Sequence, residues 1–545
     1  MVRNLTFLSI LFFSLFSKSK AQDSQVGKWQ KFEKQFNSRK TYENPLYEVQ
    51  QFEVTFTSPA GRTHSVNGFW DGGTTWKVRF APDQTGRWSY RSSCSDQKNT
   101  GLHGITGSFE CVPNESEFEI YGRGPLKQPL GTYHLAYDDG TPFFWTACTA
   151  WNGALKSTEA EWDKYLQHRK DHHYNVIQFV TTQWRGADQN SQGEVAFTGS
   201  GRIEINPEFF QHLDQKVDRI NEYGLVAAPV LLWALPVGAG RELSPGYYLP
   251  DNEAIMLAKY IIARYQGNQV VWVLGGDGRY LDELEDRWKY IGREVFKNDP
   301  PGLVTHHPMG RHWIGKAYGQ EPWMDIVGYQ SSHGNTEGTV NWINYEPIAS
   351  DWKLLPAKPI INLEPNYEEI YQRITAEDVR NASYWSVFAT PPGGITYGAN
   401  GIWPWIREGE KILNHGGDYH VSTWEQSIDF PGSLQIGYLH QFIKQHDWWD
   451  LRPSPELLVA QPGDENFDQF ISVVKTPRND LIMAYVPVKT MLEIYKPGDG
   501  DYVAEWFDPV RNTMVNGKVT EQKGILRVES PGNQDYVLVL KQESK

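Results

Sequence analysis

The pattern of apolar and polar positions divides the chain into three segments. In residues 22–113, apolar and polar side chains alternate in short runs such as residues 52–56 and 76–80, and turn residues such as 82–86 separate the runs. Alternation with a period of two is typical of half-buried strands. This first segment is therefore predicted to form a β-sandwich of ordinary size.

The second segment, residues 126–450, alternates short apolar runs with amphipathic stretches. Helix-start signals occur between the runs, including Asn206 followed by Pro207, and Thr158 three residues before Glu161. Eight such units predict a single (β/α)₈ barrel. A doubly wound open sheet is the alternative, and we disfavour it because no glycine-rich phosphate-binding turn follows the first run. The eight runs are residues 143–148, 175–181, 225–233, 270–274, 303–307, 325–330, 359–363 and 394–398.

The two ends of the chain add a second β segment and a signal for export. Residues 455–545 return to alternation and predict a C-terminal β-sandwich. Residues 1–21 have the pattern of a signal peptide, with Arg3 before an apolar run that is too short to span a bilayer. No other stretch is long and apolar enough to span one. The mature protein is expected to be secreted or periplasmic, with no membrane contact after cleavage.

Composition narrows the classes of ligand. A formal net charge of −14 argues against nucleic acid, and it makes a highly anionic ligand less natural unless a local basic patch overrides it. Aromatic residues make up 14% of the chain and include 22 Trp, whose flat apolar faces suit the C–H faces of sugar rings. These features favour a polysaccharide or oligosaccharide as substrate. We expect a monomer.

The three cysteines and the histidines predict no metal centre. Cys94 and Cys111 flank a predicted hairpin, where a disulfide and two unpaired thiols are equally expected. Cys148 lies in an apolar run and is expected to be a buried thiol. No Cys/His spacing is that of a zinc site, and no cofactor is expected.

Two carboxylates occupy the positions where a barrel places its chemistry. The active site of this fold lies at the C-terminal ends of the strands. The fourth run ends in Gly275, Gly276 and Asp277, and the seventh ends in Glu364. Each carboxylate alone also fits a helix cap or a salt bridge. Two carboxylates across one barrel mouth are the minimum that glycoside hydrolysis requires, one as acid/base and one as nucleophile or base.

Other polar and aromatic residues near the predicted strand ends are candidate sugar contacts. An indole can stack on a sugar ring, although loop packing also explains any single Trp. Tyr329 either holds Glu364 in its ionised form or points into the barrel wall. The candidate substrate-binding residues are Trp151, Trp184, Trp233, His306, His307, Tyr329, Gln330, His333 and Trp403.

The placement of the two carboxylates resembles clan A of the glycoside hydrolases, in which the acid/base ends strand four and the nucleophile ends strand seven. Residues 272–277 and 143–151 are similar to strands four and one of the apiosidase-like barrels, glycoside hydrolase family 140 and its relatives. Residues 206–210 and 330–333 also resemble segments of the apiosidase-like barrels. Residues 86–90 and 505–509 resemble the β domains that flank such barrels. The chain departs from the common clan pattern at Gly276 and Asp277, where Asn and Glu are usual, so the shorter Asp must approach the sugar more closely and the Asn contact is missing.

The resemblance implies a retaining mechanism, with Asp277 as acid/base and Glu364 as nucleophile. It suggests apiose, released from pectic side chains, as the sugar, while algal and other plant polysaccharides stay open. Since like charges raise one pKa of a carboxylate pair, we expect the pKa of Asp277 to lie above its usual value. Alternative functions are a non-catalytic carbohydrate-binding protein and an endo-acting clan A glycanase. A peptidase or metallohydrolase is disfavoured, because its motifs are missing from the sequence.

Overall fold

The centre of the protein is a closed barrel of eight parallel strands, seen in a computed structural model that describes residues 24–238, 240–345, 348–415 and 421–543. The predicted signal peptide lies outside the described residues. Consecutive strands are neighbours, β1 pairs with β8, and a bridge between Thr305 and Ile326 closes the ring between β5 and β6. The strands are β1 (Trp145–Thr149), β2 (Val176–Val180), β3 (Val226–Trp233), β4 (Val271–Gly278), β5 (Leu303–Pro308), β6 (Val327–Gln330), β7 (Ile360–Glu364) and β8 (Gly394–Ala399).

Helices surround the barrel and begin at the predicted signals. Thr158 with Glu161, and Thr375 with Asp378, form reciprocal capping boxes, and the Asn206 side chain caps the helix that opens with Pro207. The helices of this layer are Gly153–Lys156, Glu159–Asp171, Pro207–Glu222, Gly240–Leu243, Pro245–Tyr248, Asp251–Tyr265, Glu285–Val295, Gly315–Tyr318, Glu337–Asn344, Ile348–Asp351, Ala376–Ala389, Trp424–Ser427 and Pro431–Ile443.

The N-terminal β domain packs a five-stranded sheet on a three-stranded one around its own apolar core. The five-stranded sheet has the spatial order Gln25–Gly27, Thr106–Val112, Gly86–Cys94, Phe52–Thr57 and Thr63–Asn67, and the other has Phe32–Asn37, Thr75–Phe80 and Phe69–Trp70. Cys94 and Cys111 are both free. The register explains why: Cys111 lies opposite Gly86, so Cys94 is at the other end of the hairpin. Cys148 is a buried thiol, as predicted.

The C-terminal β domain also consists of two sheets. The six-stranded sheet has the order Arg452–Pro453, Ser472–Lys475, Leu481–Val486, Tyr536–Gln542, Tyr502–Asp508 and Thr513–Gly517. The three-stranded sheet has the order Met491–Tyr495, Ile525–Glu529 and Val519–Gln522. Barrel and flanking β domains confirm the predicted fold class. In the described part of the chain, no helix is long and apolar enough to cross a membrane.

The two β domains dock on the barrel by different chemistry. The C-terminal sheet shares one continuous apolar core with the barrel helices, where Tyr485 stacks on Tyr384 at 4.6 Å and Phe507 on Phe442 at 4.2 Å. The N-terminal domain instead contributes Arg79 to a buried charge network with the barrel. The barrel is thus held from both sides, and its mouth is built on rigid elements.

Candidate active site at the mouth of the barrel

Asp277 lies on a distorted end of β4. Its φ is +48°, in the left-handed region that a non-glycine residue rarely adopts. The register with β5 shifts on both sides of Gly276, which marks a bulge. The Asp277 backbone N–H donates to His307 Nδ1 at 3.2 Å. Strained backbone of this kind is concentrated at functional sites, where the surroundings hold it in place.

The two glycines before Asp277 make room for aromatic neighbours. A Cβ at Gly276 would lie 2.6 Å from the Trp233 ring, and one at Gly275 would lie 2.6 Å from the Tyr280 hydroxyl oxygen. Position 276 is where the clan pattern usually has Asn. The Trp233 indole fills that space here, which explains the departure in physical terms.

Glu364 ends β7 with both carboxylate oxygens facing imidazoles. It is 6% exposed. Its Oε2 lies 3.0 Å from His307 Nε2 and its Oε1 lies 3.0 Å from His333 Nε2. His307 therefore touches the backbone of Asp277 with one ring nitrogen and the carboxylate of Glu364 with the other.

The partners of the two imidazoles assign their protons. His307 Nδ1 accepts from an N–H, so its proton is on Nε2, toward Glu364. His333 Nδ1 lies 2.9 Å from the carbonyl oxygen of Pro365 and must donate to it. The facing atoms His333 Nε2 and Glu364 Oε1 then need a further proton between them.

The surroundings drive the pKa values of the two carboxyl groups apart. Burial, and then the charge of Glu364, raise the pKa of Asp277 to about 7, as predicted from the sequence. Burial opposes ionisation of Glu364 too, but the close contacts with His307 and His333 outweigh it and hold its pKa below the usual range. At neutral pH one group can give up a proton while the other is a carboxylate, which is the division of roles that acid/base chemistry requires.

The four candidate tryptophans form one continuous wall. The Trp233 ring lies 5.4 Å from Trp151 and 4.4 Å from Trp184, and Trp184 lies 6.1 Å from Trp403. The wall reaches the carboxylates, because Trp151 lies 5.3 Å from the His307 ring. The indole N–H of Trp233 is buried and finds no partner among the described residues, so it is free to donate to a ligand.

Two predicted contacts lie on the other side of the barrel wall. His306 stacks on Tyr280 at 3.9 Å and packs against Trp288 of the surrounding helices. Tyr329 packs against Trp342, at 5.8 Å, on a helix after β6. Successive strand residues point to opposite faces, so His306 and His307 cannot both face the mouth. The prediction that His306 contacts the sugar is therefore wrong. Of the two alternatives given for Tyr329, the structure shows the one in which the side chain points into the barrel wall.

Gln330 and two residues missed by the sequence analysis complete the site. Gln330 lies opposite Glu364 in the strand register, and its buried Oε1 has no partner in the described ranges. Tyr367 accepts a hydrogen bond from Trp151 Nε1 at 2.7 Å, and burial and the charge of Glu364 raise its pKa far above the usual range. Arg185 follows Trp184, and the charges of Asp277 and Glu364 act on it. The sequence signal for them is position, since Arg185 directly follows Trp184 and Tyr367 lies three residues after Glu364.

The carboxyl groups and imidazoles at the barrel mouth are suited to proton transfer. Among the described residues, no group of three or more His, Cys, Asp or Glu side chains is arranged to hold a metal ion. The arrangement can protonate a leaving oxygen and present a carboxylate to an electrophilic carbon.

The sequence matches two protein-family models. A family model described as "Apiosidase-like, catalytic domain" matches residues 131–450, and one described as a domain of unknown function, DUF5060, matches residues 25–95. No curated protein matches the chain.

Three solved structures share the architecture. One, described as "Glycoside hydrolase", is 24% identical with a TM-score of 0.68 and covers 78% of this chain and 98% of its own. A glycoside hydrolase family 5 structure from Bacteroides vulgatus ATCC 8482 is 23% identical, with a TM-score of 0.68 over 78% of this chain and 94% of its own. A putative glycoside hydrolase from the same organism is 18% identical, with a TM-score of 0.71 over 95% of this chain and 100% of its own. At these identities the likeness concerns the fold.

Proposed function

The chain belongs to the apiosidase-like family of catalytic domains and is a glycosidase, and from that premise we propose that it is a retaining hydrolase with Asp277 as acid/base and Glu364 as nucleophile. The observation that carries the proposal is the opposed environment of the two carboxyl groups. One is held with a pKa near neutrality, and the other is held ionised between two imidazoles.

The first half of the reaction forms an ester with the enzyme. A Glu364 oxygen bonds to the anomeric carbon as the glycosidic C–O bond breaks, and Asp277 donates its proton to the departing oxygen. The rings of His307 and His333, each 3.0 Å from a Glu364 oxygen, keep Glu364 ionised before attack. The Trp233 N–H and the Gln330 Oε1, both without partners in the described part, are placed to bind sugar hydroxyls.

The second half reverses the roles. Asp277, now a carboxylate, takes a proton from water as the water oxygen bonds to the anomeric carbon and the ester bond to Glu364 breaks. A pKa near 7 suits a group that must be acid in one step and base in the next.

The substrate we propose is a plant or algal cell-wall polysaccharide, with apiose released from pectic side chains as the first candidate. The family description supports apiose. The signal-like residues 1–21 support action outside the cytoplasm, in the periplasm or the medium.

Product analysis tests the function. Purified protein and Glu364→Gln are incubated with pectic and algal polysaccharides, released sugars are identified, and proton NMR records the first-formed anomer. We expect release by the wild type alone, with the anomeric configuration retained. An inverted product overturns the nucleophile role of Glu364. Binding by both proteins without release from any polymer identifies a carbohydrate-binding protein instead, and internal cleavage identifies an endo-acting glycanase.

A further inference from the structure

Arg185 sits at the tip of a tight turn beside the tryptophan wall. Trp184 and Ala187 exchange two backbone hydrogen bonds, at 2.8 and 3.0 Å, around Arg185 and Gly186. Asn152 Nδ2 donates to the Gly186 carbonyl at 2.7 Å, and Asn414 Nδ2 donates to the Arg185 carbonyl at 2.9 Å. The backbone that carries the arginine is therefore held in place from two sides.

The guanidinium of Arg185 is a half-buried cation with no bonded counter-charge in the described part of the chain. Its Nε is buried and unpartnered, and none of its nitrogens makes an ion pair there. Three buried arginines elsewhere, Arg79, Arg264 and Arg380, each contact a carboxylate within 2.7 Å. The fully buried Arg169 contacts none, but it donates to the Ile428 carbonyl and the Ser433 hydroxyl, whereas the Arg185 side chain donates to no group in the described ranges. Since an uncompensated charge is costly to desolvate, its retention at a site calls for a partner from outside the chain.

Arg185 lies beside the catalytic centre, because it directly follows Trp184, whose ring lies 4.4 Å from the Trp233 ring in the same wall. Burial lowers the pKa of the guanidinium, and the charges of Asp277, Glu364 and Tyr371 oppose that effect. On the opposite flank, burial and then Arg185 lower the pKa of His415 to about 4, so His415 is a neutral neighbour. The two carboxyl groups act on Arg185 through space and do not bond to it, which leaves its donors available.

We propose that Arg185 binds an oxyanion carried by the sugar unit next to the scissile bond. The shared chemistry is a planar or tetrahedral set of anionic oxygens, either the carboxylate of a uronic acid or a sulfate ester. A guanidinium presents parallel N–H donors that match such oxygens in pairs, and it has no acceptor for a hydroxyl proton. The assignment deepens the proposed function and rests on it.

The overall charge of the chain makes a local cation necessary for this class of ligand. A net charge of −14 repels an acidic polymer at long range, so attraction must come from the mouth itself. Arg279 and Arg311, which follow β4 and β5, likewise make no ion pair with any described residue. Both are exposed and follow strands that end at the mouth, so the chain carries further positive charge near its rim.

The test measures binding without turnover. Isothermal titration calorimetry is run on Glu364→Gln, with and without Arg185→Met, using four probes. These are tetragalacturonate, its carboxyl-reduced counterpart, a sulfated galactan tetrasaccharide and its desulfated form. We expect one acidic probe to bind at least 10-fold more tightly than its neutral counterpart. Arg185→Met should weaken that probe by about 10- to 100-fold, the range of a charge-assisted hydrogen bond, and the neutral one far less.

Two further variants sharpen the reading. Arg185→Lys keeps the charge but not the paired donors, so it should recover only part of the affinity. Arg91→Met removes an exposed arginine of the N-terminal domain and should leave all four affinities unchanged. Whether the carboxylate or the sulfate probe responds identifies the source of the oxyanion.

The inference and the proposed function fail separately. Equal losses for acidic and neutral probes in Arg185→Met, or no preference for either acidic probe, overturn the oxyanion site even if the wild type hydrolyses a neutral glycoside. Selective loss of acidic binding, in a protein whose wild type releases no sugar, supports the site and overturns the hydrolase.

Discussion

Two of the regions that contain buried charges treat them in opposite ways. Where the N-terminal domain meets the barrel, Asp214 contacts Arg79 and Arg264, each at 2.6 Å, and Arg264 also contacts Asp71 at 2.9 Å. Every charge in this network touches its opposite. The network joins two domains and has no group left over for a ligand.

At the barrel mouth the same residue types are left uncompensated. In the described ranges neither Asp277 nor Arg185 has an ion-pair partner, and the only negative charge held by contacts is Glu364, between two imidazoles. Burial alone therefore does not distinguish a structural charge from a functional one. The supply of bonded partners by the chain does, since even the fully buried Arg169, which contacts no carboxylate, donates to the Ile428 carbonyl and the Ser433 hydroxyl. The predictions below test that distinction.

The largest effect should come from removing the carboxylate that the imidazoles hold. Glu364→Gln takes away the attacking oxygen, so we expect kcat/KM on an aryl glycoside to fall by about 10⁴-fold or more. Initial rates measure this, and circular dichroism checks that the variant is folded. A loss below about tenfold would assign the nucleophile to another group.

Asp277→Asn should lower activity by about 10²- to 10⁴-fold, because general acid/base catalysis is lost. The loss should be larger for glycosides whose leaving groups need protonation than for nitrophenyl glycosides, which do not. Stability should move the other way. The folded protein disfavours ionised Asp277, which lowers the free energy of unfolding once the pH rises above the unfolded pKa of about 4, and Asn removes this effect.

Asp214→Asn should separate stability from activity. Removing one partner of a buried charge network costs about 3–5 kcal/mol, because two arginines lose their counter-charge. Denaturant unfolding at pH 7 measures the loss, and kcat of the folded fraction should change little. The contacts with Arg79 and Arg264 outweigh burial and lower the pKa of Asp214, so its contribution is present above about pH 4 and is lost as the pH falls through the folded value. An activity loss larger than the unfolded fraction explains would contradict the division between the two regions.

The smallest effect is a shift in titration. Activity should decline as the pH rises through about 7, since Asp277 must be protonated for the first step. In Glu364→Gln the neighbouring negative charge is gone, so the pKa of Asp277 should fall toward its usual value. NMR titration of ¹³C-labelled aspartate carboxyl groups follows this, and an unmoved Asp277 resonance would show that burial alone sets its pKa.

The architecture could be predicted from the sequence because each strand and helix of the barrel has a recognisable local pattern of apolar and polar residues. All eight runs, the capping residues and the two β segments depend on periodicity and turn chemistry. The placement of side chains in the site also depends on strand register and long-range packing. His306 and His307 look alike in the sequence, and only the strand register decides which faces the mouth. Arg185 and Tyr367 lie on segments outside the eight runs, and their proximity to the carboxylates depends on long-range packing, which no local pattern encodes.

The packing of Trp233 against Gly276 also has an evolutionary consequence. An Asn restored at position 276 would collide with the indole, since even a Cβ there comes within 2.6 Å of the ring. A smaller residue at position 233 would open a gap beside a glycine that cannot fill it. Asn at position 276 is unfavourable while Trp233 is present, and a smaller residue at position 233 is unfavourable while position 276 is glycine. We therefore expect positions 233 and 276 to change together and not singly.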